Sequence, residues 1–136
     1  MNPKFVKLLE AARGARDRAY APYSNFYVGA ALLSKEGNIY TGCNVENMSY
    51  GLTICAERNA VFKMIEAGDR EIEEILIIGK TPEPLFPCGA CRQVIAEFAT
   101  AETRIYMCDE AGRARTSSMA EILPFNFTLF KDQDNE

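Results

Sequence analysis

Apolar residues recur at helical spacing in three stretches of the chain, and each stretch is bounded by residues that interrupt helices. Residues 4–20 place apolar side chains at the i, i+3, i+4 and i+7 positions of one helical face. Residues 55–67 repeat this spacing and stop at a glycine, which often follows the end of a helix. Residues 88–98 form the third stretch, directly after a proline. The pattern therefore predicts three helices, and a brief fourth over residues 119–123 that a proline ends.

Shorter runs of β-branched and other apolar residues predict the strands. Residues 26–33 and 39–45 flank a turn that contains glycine and asparagine, so they predict a hairpin. Residues 72–79 are a short, largely apolar run, as in a strand that is buried on both faces. Residues 103–108 predict a further strand, and residues 112–116 predict a short strand at the edge of the sheet.

The order helix, hairpin, helix, strand, helix, strand predicts a layered α/β domain. A mixed sheet with helices on its faces satisfies this order, with right-handed crossovers after the hairpin. The length of 136 residues suits one domain. We assign residues 1–130 to that domain and expect residues 131–136, which are polar or charged, to form a solvated tail.

Composition and charge exclude several classes of function. Lys and Arg number 15 against 19 Asp and Glu, a net charge of −4, so a basic footprint for a nucleic-acid polymer is absent. No apolar run approaches the roughly 18 residues of a membrane span. The N-terminal stretch is charged and amphipathic and has no apolar signal core, which predicts a cytoplasmic protein. In that reducing compartment, the five cysteines are expected to be metal ligands or catalytic groups rather than disulfides.

The absence of histidine removes the commonest metal ligand and the usual general base. Candidate chemistry is concentrated instead in two segments, Cys-Ala-Glu-Arg at 55–58 and Pro-Cys-Gly-Ala-Cys-Arg at 87–92. Each opens a predicted helix, and first-turn side chains reach toward the N-terminal end of their helix. If the two N-termini meet, the sulfurs of Cys55, Cys88 and Cys91 converge near Glu57. The helix dipoles and unpaired amides would lower the pKa of thiols at that point.

Three thiolates suit a zinc ion whose fourth coordination position holds water, which is the arrangement of a catalytic site. Zinc with three thiolates carries a net charge of about −1. We therefore expect Arg58, Arg92 or both to donate hydrogen bonds to the ligand sulfurs and offset this charge. Glu57 lies two residues from a ligand and is the leading proton carrier, because the chain contains no histidine.

Three other interpretations of these residues stay open at this point. Cys88 and Cys91 form a CxxC pair, which is structural or redox-active in many intracellular proteins. Cys43 or Cys108 could supply a fourth thiolate and close the zinc site, although both are also explained as small buried residues of strands. Glu57 could be a solvated acid that the helix dipole favours.

Taken together, these motifs resemble the cytidine deaminase family, in its small homotetrameric form with three cysteine ligands. The zinc deaminase pattern is a His or Cys, then any residue and Glu, and later Pro-Cys-x-x-Cys. The segments Cys55-Ala56-Glu57 and Pro87-Cys88-Gly89-Ala90-Cys91 match it. Further matches are the segments at 21–26 (Ala-Pro-Tyr-Ser-Asn-Phe), 28–31 (Val-Gly-Ala-Ala) and 42–47 (Gly-Cys-Asn-Val-Glu-Asn).

The resemblance implies a three-layer αβα sandwich around a mixed five-stranded sheet, and one zinc ion per chain held by Cys55, Cys88 and Cys91. The implied activity is hydrolytic deamination of cytidine and 2′-deoxycytidine to uridine and 2′-deoxyuridine, with release of ammonia, as in pyrimidine salvage. Zinc-activated water would attack C4 of cytosine. Glu57 would take the water proton, protonate N3 and later protonate the departing amino group.

The resemblance also implies which residues contact the nucleoside. An aromatic face suits a planar base, and an amide with a carboxylate suits two ribose hydroxyls. The implied contacts are Phe26 at the base, Ala56 in the Cys-Ala-Glu motif, Asn44 and Glu46 at the ribose, and Tyr50 and Phe127 toward the sites of neighbouring chains in a homotetramer. From pattern alone, Phe26 could instead belong to the core, and Asn44 and Glu46 could hold a turn.

Two alternative functions fit the same residues. A related enzyme would deaminate a modified cytosine nucleoside or a nucleoside antibiotic, although the Cys-Asn-Val-Glu-Asn segment at 43–47 favours the plain nucleoside. A protein of a different class would hold zinc as a non-catalytic structural module, with no coordination position left for water.

Overall fold

The computed structural model describes residues 2–128, in which five strands form one mixed sheet with helices on both faces. The helices are α1 (Pro3–Arg16), α2 (Ala56–Ala67), α3 (Gly89–Phe98) and the short α4 (Met119–Ile122), with a single 3-10 turn at Tyr50–Leu52 before α2. The strands are β1 (Gly29–Ser34), β2 (Ile39–Cys43), β3 (Ile72–Ile78), β4 (Arg104–Cys108) and β5 (Ala114–Ser117). The sheet order is β2-β1-β3-β4-β5, in which β3 and β4 are parallel and the other neighbouring strands are antiparallel.

Two hydrophobic clusters, one on each face of the sheet, confirm the predicted three-layer αβα sandwich. α1 packs on one face, and α2, α3 and α4 pack on the other. β3 contributes to both clusters, with Ile75 and Ile77 on the α2 side and Leu76 and Ile78 on the α1 side. All four side chains are fully buried, as the sequence predicts for a strand covered on both faces. None of the helices described between residues 2 and 128 has both the length and the apolar character needed to cross a bilayer.

α1 ends at Arg16, four residues earlier than the apolar spacing predicts. Beyond the helix, the amide of Tyr20 donates to the carbonyl of Asn44 at 3.0 Å, and the carbonyl of Tyr20 accepts from the amide of Glu46 at 2.8 Å. This pairing across 24 to 26 residues of sequence uses the backbone groups that a continuing helix would need. Residues 17–20 therefore leave the helix in order to pair with a distant segment.

β1 begins at Gly29 rather than at the predicted residue 26, because a side chain pairs with the backbone that precedes it. The Asn44 side chain accepts a hydrogen bond from the amide of Val28 at 2.9 Å and donates one to the carbonyl of Phe26 at 2.7 Å. β2 correspondingly ends at Cys43, one residue before this asparagine. The segment at 26–28 is therefore held by the side chain of Asn44 and by its backbone amide, which donates to the carbonyl of Val28 at 3.3 Å.

The C-terminal part of the chain differs from prediction in one further place. β5 starts at Ala114 rather than at residue 112, because Gly112 has a φ of 91° and belongs to the preceding turn. The predicted tail at 131–136 lies outside the described residues.

The close approach of β2 and α2 positions the start of that helix. A Cβ atom at Gly42 would lie 2.3 Å from the carbonyl oxygen of Ala56 and 2.5 Å from the amide nitrogen of Ala60, so no side chain fits there. The first turn of α2 therefore lies directly on β2. α2 also packs against α3, which connects the parallel strands β3 and β4.

Candidate active site

The structure brings three cysteine sulfurs together where α2 and α3 begin. Cys55 and Cys88 are the N-cap residues of α2 and α3, and neither side chain makes a capping hydrogen bond. The three Sγ atoms, including that of Cys91, lie within 4.8 Å of one another, and those of Cys55 and Cys88 are 3.9 Å apart. Tetrahedral zinc with Zn–S bonds of about 2.3 Å separates its sulfur ligands by about 3.8 Å. The sulfurs are therefore already spaced for one zinc ion.

The protonation of these thiols also fits a divalent cation. A hydrogen bond from Cys91 and the nearby Arg58 guanidinium lower the pKa of the Cys55 thiol to about 5. The same hydrogen bond, in which Cys91 keeps its proton, raises the pKa of Cys91 well above its ordinary value, and burial adds to this. Cys55 and Cys91 therefore share one proton, and a metal ion that replaced it would relieve the repulsion between their two sulfurs.

The two arginines predicted beside the ligands make different contacts. Arg58 Nη2 donates to the Sγ of Cys55 at 3.5 Å, as expected for an arginine that offsets thiolate charge. Arg92 instead donates from Nε to the carbonyl of Pro87 and from Nη1 to the carbonyl of Ile122, each at 2.8 Å. Arg92 therefore fastens the turn before α3 to the end of α4, and its hydrogen bonds do not reach a sulfur.

The structure offers no fourth thiolate for a closed site. The other two cysteines, Cys43 and Cys108, are free and lie outside the group of metal-ligating side chains found among residues 2–128. Cys108 is buried in the cluster on the α1 face of the sheet, away from α2 and α3. Burial raises the pKa of its thiol to about 11, which suits a small apolar residue.

Glu57 is a buried carboxyl group beside the sulfurs. It lies in the first turn of α2 with only 4% of its surface exposed, so it is not the solvated acid that its position alone would allow. Burial raises its pKa to about 7, and the charge on Cys55 contributes in the same direction. A carboxyl group with a pKa near neutrality can both accept and release a proton at physiological pH.

A cavity of about 330 Å³ opens in front of the sulfurs and Glu57. This volume lies within the range of small-molecule sites. Four of the predicted substrate contacts line it, and Phe26 presents a ring that is 42% exposed. The lining residues are Ser24, Phe26, Val28, Asn44, Glu46, Thr53, Cys55, Ala56, Glu57, Leu85, Phe86 and Cys88.

Asn44 and Glu46 hold the cavity wall by hydrogen bonds within the chain. Asn44 ties the segment before β1, as described above, and retains one amide N–H. One carboxylate oxygen of Glu46 accepts from the amides of Tyr23 and Ser24 at 3.0 and 3.2 Å, and the other accepts from the Ser24 hydroxyl. These contacts lower the pKa of Glu46, chiefly through the Ser24 hydroxyl. Both residues hold a turn and also line the cavity.

Tyr50 and Phe127 do not line this cavity in their own chain. Tyr50 is 75% exposed and packs near Tyr23, with 5.9 Å between ring centroids, beside an adjacent cleft of about 300 Å³. That cleft shares Ser24, Glu46 and Thr53 with the cavity, so the two have a wall in common. Phe127 is 70% exposed.

Sequence reasoning missed five residues that line the cavity, namely Ser24, Val28, Thr53, Leu85 and Phe86. The last two lie in the proline-containing loop that leads to Cys88. Their proximity to a predicted metal ligand was the available signal, because residues that precede a ligand in a restrained loop lie near the metal.

A sandwich that brings three thiols to one point beside a buried carboxyl group has the architecture of a zinc-dependent deaminase. The chain belongs to the cytidine deaminase family, since residues 4–108 match the family model described as the cytidine and deoxycytidylate deaminase zinc-binding region. This result confirms the predicted family, and the zinc-binding region contains the Cys55, Cys88 and Cys91 cluster that could hold one metal ion.

Individual proteins show the same similarity along most of the chain. A cytidine deaminase of Halalkalibacterium halodurans is 48% identical over 121 residues, which cover 89% of this chain and 92% of that protein. A cytidine deaminase of Sporosarcina psychrophila is 45% identical over 122 residues, which cover 90% of this chain and 90% of that protein. The crystal structure of cytidine deaminase from Burkholderia pseudomallei matches with a TM-score of 0.86 and 46% identity, and the match covers 93% of this chain and 100% of that one.

Proposed function

We propose that this protein catalyses the hydrolytic deamination of cytidine and 2′-deoxycytidine to uridine and 2′-deoxyuridine, with release of ammonia, as a step of pyrimidine salvage. The observation that carries the proposal is the buried Glu57 carboxyl group beside three convergent sulfurs, at one end of a cavity of about 330 Å³. The relatives named cytidine deaminase, with up to 48% identity, support the same activity.

In this proposal, Cys55, Cys88 and Cys91 hold one zinc ion per chain. Zinc bound there supplies a Lewis acid that activates water at neutral pH. Glu57 would accept one proton from the attacking water and donate it to N3 of the base. It would then take the second proton from the hydroxyl group newly added at C4, which becomes the carbonyl, and deliver this proton to the departing amino group. Its pKa of about 7 suits both directions of transfer. Arg58 offsets the negative charge of the sulfurs through its hydrogen bond to Cys55.

The cavity wall supplies the substrate contacts in this proposal. Phe26 packs against the base, and Ala56 forms the wall between two reactive side chains, Cys55 and Glu57. The free N–H of Asn44 and the carboxylate of Glu46 bind the ribose hydroxyls. Because both groups are already fixed by hydrogen bonds within the chain, they lose little freedom when the nucleoside binds.

We further propose a cytoplasmic homotetramer that binds no nucleic-acid polymer and no membrane. The net charge of −4 disfavours a polyanionic partner. All five cysteines are free, which suits a reducing compartment. Several large apolar side chains are at least half exposed in the single chain and suit subunit contacts. They are Tyr20, Met48, Tyr50, Leu52, Phe62, Phe125 and Phe127.

Zinc content and turnover, measured together, test the proposed reaction. Wild type and Glu57→Gln are expected to hold about one zinc per chain, while only wild type converts cytidine in an ultraviolet assay. Glu10→Gln removes an exposed carboxylate on α1 and serves as the matched control, which should retain full activity. A wild type that retains zinc but converts no cytosine nucleoside would falsify the proposal and favour a structural zinc module. Conversion of a modified nucleoside alone would favour the related deaminase.

A further inference from the structure

Phe86 lines both the substrate cavity and a second cleft. On one side it lines the cavity of about 330 Å³ together with Glu57 and Cys88. On the other side it lines a cleft of about 160 Å³ between the loop and the end of the sheet. The other residues around that cleft are Arg92, Met107, Arg115, Ser117, Glu121 and Ile122. Removal of the ring would therefore enlarge the substrate cavity.

The loop that carries Phe86 is restrained, although 48% of this residue's surface is exposed. Pro87 follows Phe86 and limits it to extended backbone conformations. The amide of Leu85 donates to the carbonyl of Cys108 at 3.1 Å, which anchors the loop to the end of β4. The guanidinium carbon of Arg115, on β5, lies 5.7 Å from the centroid of the Phe86 ring. A cation at this distance attracts the ring face and holds it in place.

We propose that Phe86, held by Arg115, sets the size limit for substituents at C5 of the cytosine base. This inference rests on the proposed deamination. C4, the reacting carbon, is flanked in the ring by N3 and C5. Because Glu57 on α2 is the proposed proton donor to N3, we place the N3 edge toward α2. C5 lies on the other side of C4, and we assign the wall on that side to Leu85 and Phe86, which also line the cavity. A hydrogen atom at C5 fits against this wall, whereas a large substituent meets the ring.

Comparison of cytidine with 5-iodocytidine tests whether Phe86 limits the size of the C5 substituent. The quantity measured is kcat/KM for 5-iodocytidine divided by kcat/KM for cytidine. The iodine atom changes the reactivity of C4 equally in every variant. Changes in this ratio therefore reflect the space that the cavity offers to the C5 substituent. We expect the ratio to rise about tenfold in Phe86→Ala and by less in Phe86→Leu. Arg115→Met, which frees the ring without removing it, should raise the ratio about threefold.

Ile39→Ala is the matched control, because Ile39 is a partly exposed apolar residue on β2 that does not line the cavity. It should leave the ratio unchanged. Zinc content and thermal unfolding verify that each variant is folded, and Phe86→Leu and Arg115→Met decide the question if Phe86→Ala does not fold. If the variants are active but keep the wild-type ratio, Phe86 does not set the size limit at C5 and the proposal is wrong. A wild type inactive on both nucleosides would instead refute the proposed function, and the inference with it.

Discussion

Glu57 differs from an ordinary first-turn acid because it is buried. Burial of its ionised form lowers the free energy of unfolding, and this loss can be measured. Its pKa is raised from 4.5 to about 7, so between these pH values the folded chain keeps a proton that the unfolded chain releases. Stability of the zinc-free protein should therefore fall as the pH rises through this window. We expect zinc-free Glu57→Gln to be more stable than wild type at pH 8, by up to about 3 kcal/mol in urea unfolding.

Two comparisons make this result specific to Glu57. At pH 4 the wild-type carboxyl group is mostly protonated in both states, so the difference between the two proteins should shrink to a few tenths of a kcal/mol. Glu10→Gln removes the same charge from an exposed position and should show no such difference at pH 8. Equal stability of wild type and Glu57→Gln at pH 8 would contradict the cost assigned to burial.

Arg58 is the one arginine whose hydrogen bond reaches a sulfur in the described part of the chain. Its charge favours the thiolate form of Cys55, so its loss should raise the pKa of that thiol. We expect Arg58→Gln to weaken zinc binding about 10- to 100-fold and to move both zinc binding and turnover to higher pH. Competition with a chelator across a pH series measures the first effect, and initial rates measure the second.

Arg18→Met is a suitable control for Arg58, because Arg18 is exposed beyond the end of α1. It should leave the pH profile of zinc binding in place. An unchanged profile in Arg58→Gln would show that the helix ends alone offset the thiolate charge.

At this scale, the sequence predicts the residues that share a local motif and misses those that meet only in the fold. Cys55 and Glu57 are adjacent in a recognisable pattern, and Cys88 and Cys91 share a helix turn, so local spacing suffices. The hydrogen bonds of Asn44 to Phe26 and Val28 depend on how β1 and β2 align, which spacing does not specify. The sequence therefore leaves open whether Asn44 binds ribose or has a structural role. The structure shows its side chain holding the segment before β1 while the residue also lines the cavity.

At the scale of elements, the contact between β2 and α2 fixes where the reactive residues lie. Gly42→Ala would place a methyl group 2.3 Å from the Ala56 carbonyl, so β2 and the helix would have to separate. We expect this variant to lose about 2 kcal/mol or more of stability in urea unfolding and to bind zinc more weakly, because Cys55 moves with the helix.

Gly14→Ala provides the contrast for Gly42→Ala within the same chain. Gly14 lies in α1, is exposed, and has no atom within 4 Å of an added Cβ. Alanine is the better helix former, so this variant should gain about 0.5 to 1 kcal/mol. Equal stability of the two variants would mean that β2 and α2 can separate without a loss of folding stability.

The elements themselves were predictable where periodicity is strong, and their ends were not. α2 and α3 differ from prediction by one residue at the start, because Cys55 and Cys88 are caps rather than helical residues. The end of α1 was wrong by four residues, because Tyr20 pairs with residues 44 and 46. Such long-range pairing overrides local helical spacing and has no local signature in the sequence.

At the scale of the molecule, the single chain leaves the aromatic rings of Tyr50 and Phe127 exposed, with exposed fractions of 75% and 70%. Tyr50 borders the cleft that shares a wall with the substrate cavity. Burial of exposed apolar surface favours association between subunits. In the proposed homotetramer, Phe127 would therefore complete the site of a neighbouring chain.

Mixing two inactive variants tests this arrangement. Glu57→Gln lacks the proton carrier but keeps Phe127, while Phe127→Ala keeps Glu57 but lacks the ring. If sites are shared between chains, mixed assemblies restore intact sites, because Glu57 of one chain meets Phe127 of another. Half the chains keep Glu57, and half of their neighbours keep Phe127, so equal mixing should give about a quarter of the wild-type rate.

The mixture must be formed by joint refolding or co-expression, since preformed assemblies of each variant exchange no chains if they are stable. Native mass measurement should show four chains for wild type and for both variants, which separates a loss of shared sites from a loss of assembly. A mixture whose rate is only the average of the separate variants would place Phe127 outside the neighbouring site. If the wild-type protein is a monomer, no site is shared between chains, and the cavity of the single chain binds the nucleoside without a neighbour.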